Sequence, residues 1–147
     1  MTSLSSPCIP VSWGELLDKI TILQIKRERI GDPAARANVA RELDALWRLG
    51  GEVIAEERVA ASFAALKTVN QALWDIEDAI RQEEARGLFG PEFIRLARAV
   101  YHQNDLRASL KRELNHALRS ELVEEKSYWT MPAPVTAPAE ILGLTAV

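Results

Sequence analysis

The stretch Leu66-Lys67-Thr68-Val69-Asn70-Gln71-Ala72-Leu73-Trp74-Asp75-Ile76-Glu77-Asp78-Ala79-Ile80 sets Leu66, Val69, Leu73, Ile76 and Ile80 at alternating steps of three and four. At about 100° per residue these five side chains share one helical face, the seam of a helix packed in a bundle. Leu73 and Ile76, at its centre, are expected to be almost wholly buried. Downstream, Gly87 is placed to stop this helix in the left-handed conformation, with Leu88 at the apolar position of a Schellman cap. Gly90-Pro91 opens a further long helix. Two long helices joined by so short a turn lie antiparallel.

Upstream, Ser12-Trp13-Gly14-Glu15 reads as a capping box, with Val11 and Leu16 at the staple positions. Leu16, Ile20, Leu23 and Ile30 line one face of the adjoining helix, and Ile22 and Ile25 fall on others. A helix apolar on so many sides belongs between neighbours. Gly31 is its expected stop. Asp32-Pro33 starts the next helix, with Asp32 as cap and Pro33 in the first turn. Val39, Leu43, Leu46 and Leu49 form its expected buried face, and Gly50-Gly51 its break. Residues 52–62 leave a boundary open between loop and helical turn. No segment alternates with a period of two, so no sheet is expected.

The fold class is therefore all-α: an antiparallel bundle of about four helices near residues 12–30, 33–49, 60–86 and 91–119. It forms a single domain over residues 11–128, with an N-terminal extension at 1–10. Pro132, Pro134 and Pro138 mark residues 129–147 as an extended or disordered tail, whose Ile141, Leu142 and Leu144 can dock in cis or on a partner.

At 147 residues the chain has the size of one domain, and its net charge is -3. An acidic balance argues against a nucleic-acid or anionic-membrane binder. The single cysteine, Cys8, builds neither a disulfide framework nor a thiolate metal site. No secretory leader is legible, and no apolar run approaches the roughly 20 residues of a membrane span. The cytoplasm is the expected compartment.

Catalytic signatures are absent: no phosphate loop, no nucleophile elbow, no metal-spaced His or Cys. His102 and His116 read as surface histidines, and Glu83-Glu84 and Glu124-Glu125 as solvated faces. No cofactor or metal is implied. The informative polar residues flank the seams. Asn70, Trp74, Glu77 and Arg81 form one stripe on the third helix. Asn104, Arg107 and Lys111 flank the apolar line of the fourth, and Lys19 and Lys26 stand either side of Ile22 on the first. A charge at such a border is paired or solvated, because burying it alone costs several kcal/mol. One reading makes these residues interhelical salt bridges, Glu77 with Lys111 or Arg107 for example. A second makes Lys19, Lys26, Asn70, Glu77, Arg81, Asn104, Arg107 and Lys111 the walls of a pocket for a small anion. A third makes a groove for a protein partner.

The segment Ser12-Trp13-Gly14-Glu15-Leu16-Leu17-Asp18-Lys19-Ile20-Thr21-Ile22-Leu23 resembles the opening of an uncharacterised bacterial family. Leu73-Trp74-Asp75-Ile76-Glu77-Asp78, Asn104-Asp105, Leu110-Lys111-Arg112-Glu113-Leu114-Asn115 and Glu124-Glu125-Lys126-Ser127-Tyr128 are similar to the same family. The resemblance spans roughly Val11 to Tyr128 and leaves the proline-bearing tail outside. It implies a small helical protein without an established activity, and it makes the polar stripes part of a family pattern. Residues 17–29 also faintly resemble the first helix of small helical chorismate mutases, in which charged side chains of several helices surround a dianion. That is a likeness of architecture only. The leading expectation is a noncatalytic helical interaction or structural module, with a protein partner or homo-oligomer. The alternative is an anion-binding or isomerase-type bundle.

Overall fold

The computed structural model describes residues 4–129. Four helices succeed one another: α1 (Trp13–Arg29), α2 (Pro33–Ile54), α3 (Glu57–Arg86) and α4 (Pro91–Ala117). No strand occurs among the described residues, and no helix among them is long and apolar enough to cross a membrane.

Local signals set most helix ends. The Glu15 amide donates to Ser12 Oγ (3.1 Å) and starts α1. The Glu15 carboxylate does not reach back to complete the box, because it is engaged by Lys111. The Ala35 amide donates to Asp32 Oδ2 (2.7 Å) and starts α2. Gly87 adopts φ 65°, and the Leu88 and Gly87 amides donate to the carbonyls of Glu83 and Glu84. That is the Schellman pattern. Gly31 is not the left-handed stop expected of it: α1 ends on Ile30 in an extended conformation.

The Gly50-Gly51 break does not occur either. α2 runs through both glycines to Ile54, and α3 begins at Glu57, so residues 52–62 are nearly all helical. The reason is packing. A side chain at Gly50 would stand 2.8 Å from Ile20 Cδ1, so the missing atoms let α1 and α2 close together. Leu49, expected inside, is 65% exposed, since the face turned to α1 is the one bearing Val39, Leu43 and Gly50.

The bundle is layered around α1, which packs against all three other helices, while α2 and α4 do not meet. The core joins Leu17, Ile20 and Leu23 of α1 to Val39 and Leu43, to Val59, Phe63, Leu66 and Val69, and to Leu110 and Leu114. Arg58 Nη1 donates to the Ala117 carbonyl, and Ser62 Oγ to Glu113 Oε2. The start of α3 thus faces the end of α4, and the two run antiparallel.

Length then governs burial. α3 has 30 residues and α1 only 17, about 45 Å against 26 Å at 1.5 Å per residue. The outer half of the α3–α4 hairpin therefore projects beyond α1 as a two-helix arm. Leu73 and Ile76 lie where cover by α1 runs out, and they are half-buried instead of almost wholly buried. The deepest seam positions are Val59, Leu66 and Val69, nearer the start of α3. Leu96 fastens the arm, and Phe89 packs edge-on against Phe93 near its tip (centroids 5.2 Å apart).

Candidate functional site

The α1 face that meets α3 and α4 carries Gly14, Asp18, Thr21 and Ile25, all buried. Gly14 is there for space. Any side chain would come within 2.5 Å of the Lys111 carbonyl oxygen, so only glycine lets α1 lie against the backbone of α4. Close approach gives the first-turn amides of α1 partners on or just after α4. Gly14 N–H donates to Asn115 Oδ1 (2.6 Å), and Trp13 N–H to Ser120 Oγ (3.1 Å).

One turn further, Asp18 has a side chain 2% exposed, and its carboxylate accepts two bonds from Arg107: Nε to Oδ1 at 2.9 Å and Nη2 to Oδ2 at 2.6 Å. This is the bidentate geometry that matches a guanidinium to a carboxylate. Asn70 of α3 donates to Asp18 Oδ1 (2.9 Å) and to Thr21 Oγ1 (2.8 Å), while Thr21 Oγ1 donates to the Asp18 carbonyl (2.7 Å). The bond to Asp18 raises the pKa of Arg107 above its ordinary value against the pull of burial. Beside this cluster, Lys111 Nζ bonds Glu15 Oε2 (2.7 Å) and Glu124. Burial lowers the pKa of its ammonium, but the bonds to Glu124 and Glu15 outweigh that and leave it raised. Glu124, expected on a solvated face, is held below the usual carboxylate range by Lys111. No fully buried side-chain nitrogen or oxygen among the described residues lacks a partner.

The eight sequence candidates thus divide. Asn70 and Arg107 enter the buried network, and Lys111 bridges Glu15 to Glu124. Glu77 bonds neither Lys111 nor Arg107; it pairs with Arg81 one turn along the exposed arm (3.3 Å). The expected interhelical pairing fails on register: with Arg58 level with Ala117 and Ser62 with Glu113, antiparallel packing sets Glu77 further out along the hairpin than Arg107 and Lys111. Lys19 pairs at the surface with Glu42 of α2. Lys19, Lys26 and Arg107 border a small hollow of about 240 Å³ with Glu15, Asp18 and Glu42. Asp18, Thr21, Asn115 and Gly14 were not expected as site residues. The signal for the three on α1 is the run of Gly14, Asp18, Thr21 and Ile25 at steps of four, three and four, which sets two polar residues and a glycine on one face beside the apolar one.

A larger groove, about 470 Å³, opens where α1 gives way to the arm. Ile22, Leu73 and Trp74 supply its apolar surface, with the buried Ile25 beneath them. Asn70, Asn104, Arg107, Glu77, Asp78 and Arg81 supply the polar part. Five of the eight candidates therefore do line one groove. Its two arginines are already engaged, Arg107 by Asp18 and Arg81 by Glu77, and Asp78 adds a further carboxylate. Among the described residues no group of three or more His, Cys, Asp or Glu is placed to hold a metal ion.

Fold and site together define a four-helix bundle with a closed ionic core and an open groove at the foot of a helical arm. The chain belongs to a family of unknown function, DUF6165, whose model matches residues 8–143. The match runs past Tyr128, where the resemblance legible in the sequence ends, into the proline-bearing segment. No curated protein and no solved structure matches the chain.

Proposed function

We propose that the protein is a noncatalytic interaction module whose groove receives an extended, apolar, sparsely charged polypeptide segment of a protein partner. The observation that carries this reading is the lining: aliphatic and indole surface from Ile22, Leu73 and Trp74 over the buried Ile25, with carboxamides at Asn70 and Asn104. The Asn104 side chain makes no hydrogen bond to a described residue, so it has a donor and an acceptor for a peptide unit. Asn70 uses both amide hydrogens internally and offers its carbonyl oxygen. A small anion would find no spare cation here, because Arg107 and Arg81 already hold carboxylates. The same reading takes the chain as a cytoplasmic protein of bacterial type, with its single Cys8 and its family-like segments in support.

The test is selection of randomised dodecapeptides on the full chain, followed by titration read at the Trp74 indole N–H of the parent and by calorimetry for the parent and both variants. Selected peptides are expected to be rich in aliphatic residues and poor in charge. They should lose at least tenfold in affinity to both Trp74→Ala and Asn104→Ala. Peptides that bind both variants as tightly as the parent, or a selection that enriches none, would overturn the proposal. Anion-dependent shifts of the same indole signal, with phosphate or citrate as probe, would favour the anion reading instead.

A further inference from the structure

Beyond α4 the chain turns back along that helix. The Ser120 hydroxyl accepts from the Trp13 amide and donates to the Leu122 carbonyl (2.6 Å), and Glu124 bonds Lys111. Lys126, Tyr128 and Trp129 then border a second hollow of about 550 Å³ with Val100, Tyr101, Asn104 and Asp105. Asn104 lines this hollow and the groove alike. The described chain therefore ends in a hollow that adjoins the groove at Asn104, with Tyr128 and Trp129 largely exposed.

Residues 130–147 have the chemistry the groove fits: one ionisable side chain, Glu140, and an aliphatic group at Ile141, Leu142 and Leu144. Pro132, Pro134 and Pro138 disfavour a helix between that group and Trp129. At ~3.1 Å per residue in a proline-rich extended chain, residues 130–140 reach roughly 30 Å. The groove from Asn70 to Arg81 occupies only about 16 Å of α3. A tether of this length raises the local concentration of the attached segment to about the millimolar range. The family match includes Ile141 and Leu142, so this stretch is part of the family pattern.

Resting on the groove being a polypeptide site, we infer that Ile141, Leu142 and Leu144 occupy it within the same molecule. The C-terminal segment is then a built-in competitor, and a partner binds by displacing it.

The full chain tests this with Cys8→Ser and Thr145→Cys, a nitroxide on the new thiol and ¹⁵N labelling. The Trp74 indole and the Ile22 and Leu73 amides are expected to lose more than half their intensity relative to the reduced label. The loss should persist on tenfold dilution and vanish when label and ¹⁵N are on separate molecules. Adding Leu142→Asp should restore the signals and tighten binding of a selected dodecapeptide at least fivefold. Broadening only in the mixed sample overturns the intramolecular occupant in favour of a second copy. Absence of broadening while a selected dodecapeptide still shifts the Trp74 indole overturns self-occupation and leaves the groove reading standing; absence of both overturns both.

Discussion

Replacing Asp18 by alanine removes the one acid on the buried face of α1. The geometry gives this change three effects. Arg107 loses both of its charge-assisted bonds, Asn70 keeps only Thr21 as acceptor, and a small void opens between Asn70 and Arg107. Breaking a buried ion pair from one side costs about 3–5 kcal/mol. Arg107 retains 27% of its side-chain exposure and can turn partly to water, so the lower end applies. We expect a loss of about 3 kcal/mol. Urea unfolding followed by circular dichroism measures it, and with a slope of ~2 kcal/mol per molar the midpoint falls by about 1.5 M. Asp18→Asn should cost less, since it leaves an acceptor for Asn70. The double change Asp18→Leu with Arg107→Leu should recover part of the loss, because an apolar pair leaves no uncompensated charge. A loss below about 1 kcal/mol for Asp18→Ala, or a coupling energy with Arg107 near zero, would refute the view that this pair fixes α1 on the hairpin.

Gly14→Ala sets a methyl against the Lys111 carbonyl, and the strain of overpacking should outweigh the gain in helix propensity, for a net loss of ~1–3 kcal/mol; unchanged thermal unfolding would contradict it. Leu66→Ala should cost roughly 2–5 kcal/mol and Leu73→Ala clearly less, because Leu66 is fully covered and Leu73 is not; equal losses in urea would show that something covers the arm. Arg119 holds φ 50°, and the Ser120 and Arg119 amides close a Schellman pattern on Asn115 and His116, so Arg119→Gly should raise stability by about 1 kcal/mol; a lower melting temperature would count against relief of strain. Glu124 has a lowered folded pKa, so its contribution is present above about pH 4.5 and lost as pH falls through the folded value. Lys111 has a raised one, so its contribution is present below about pH 10.5 and lost as pH rises through the folded value. Lys111→Met should flatten that share of both limbs of a stability–pH profile, and a profile identical to the parent would exclude the pair as its source.

Helix ends and seams are local events, and the sequence by itself determined most of them. The Ser12 and Asp32 caps, the Gly87 stop and the Pro91 start each depend on a few neighbouring residues and on the backbone geometry they favour. The failures share one cause. Gly50 and Gly51 have the composition of a break, but the approach of α1 makes the absent side chain useful inside a helix. Leu73 and Ile76 have the periodicity of a core, but burial there depends on the length of a different helix. Pairing was least legible. A carboxylate at position 18 or 77 can meet any cation its rotamers reach, and periodicity names a face without naming the neighbour. Only the tertiary structure decided that Arg107 and Asn70 converge on Asp18 while Glu77 stays on the arm, because which helix stands opposite, and how far it extends, is set by packing of the whole chain.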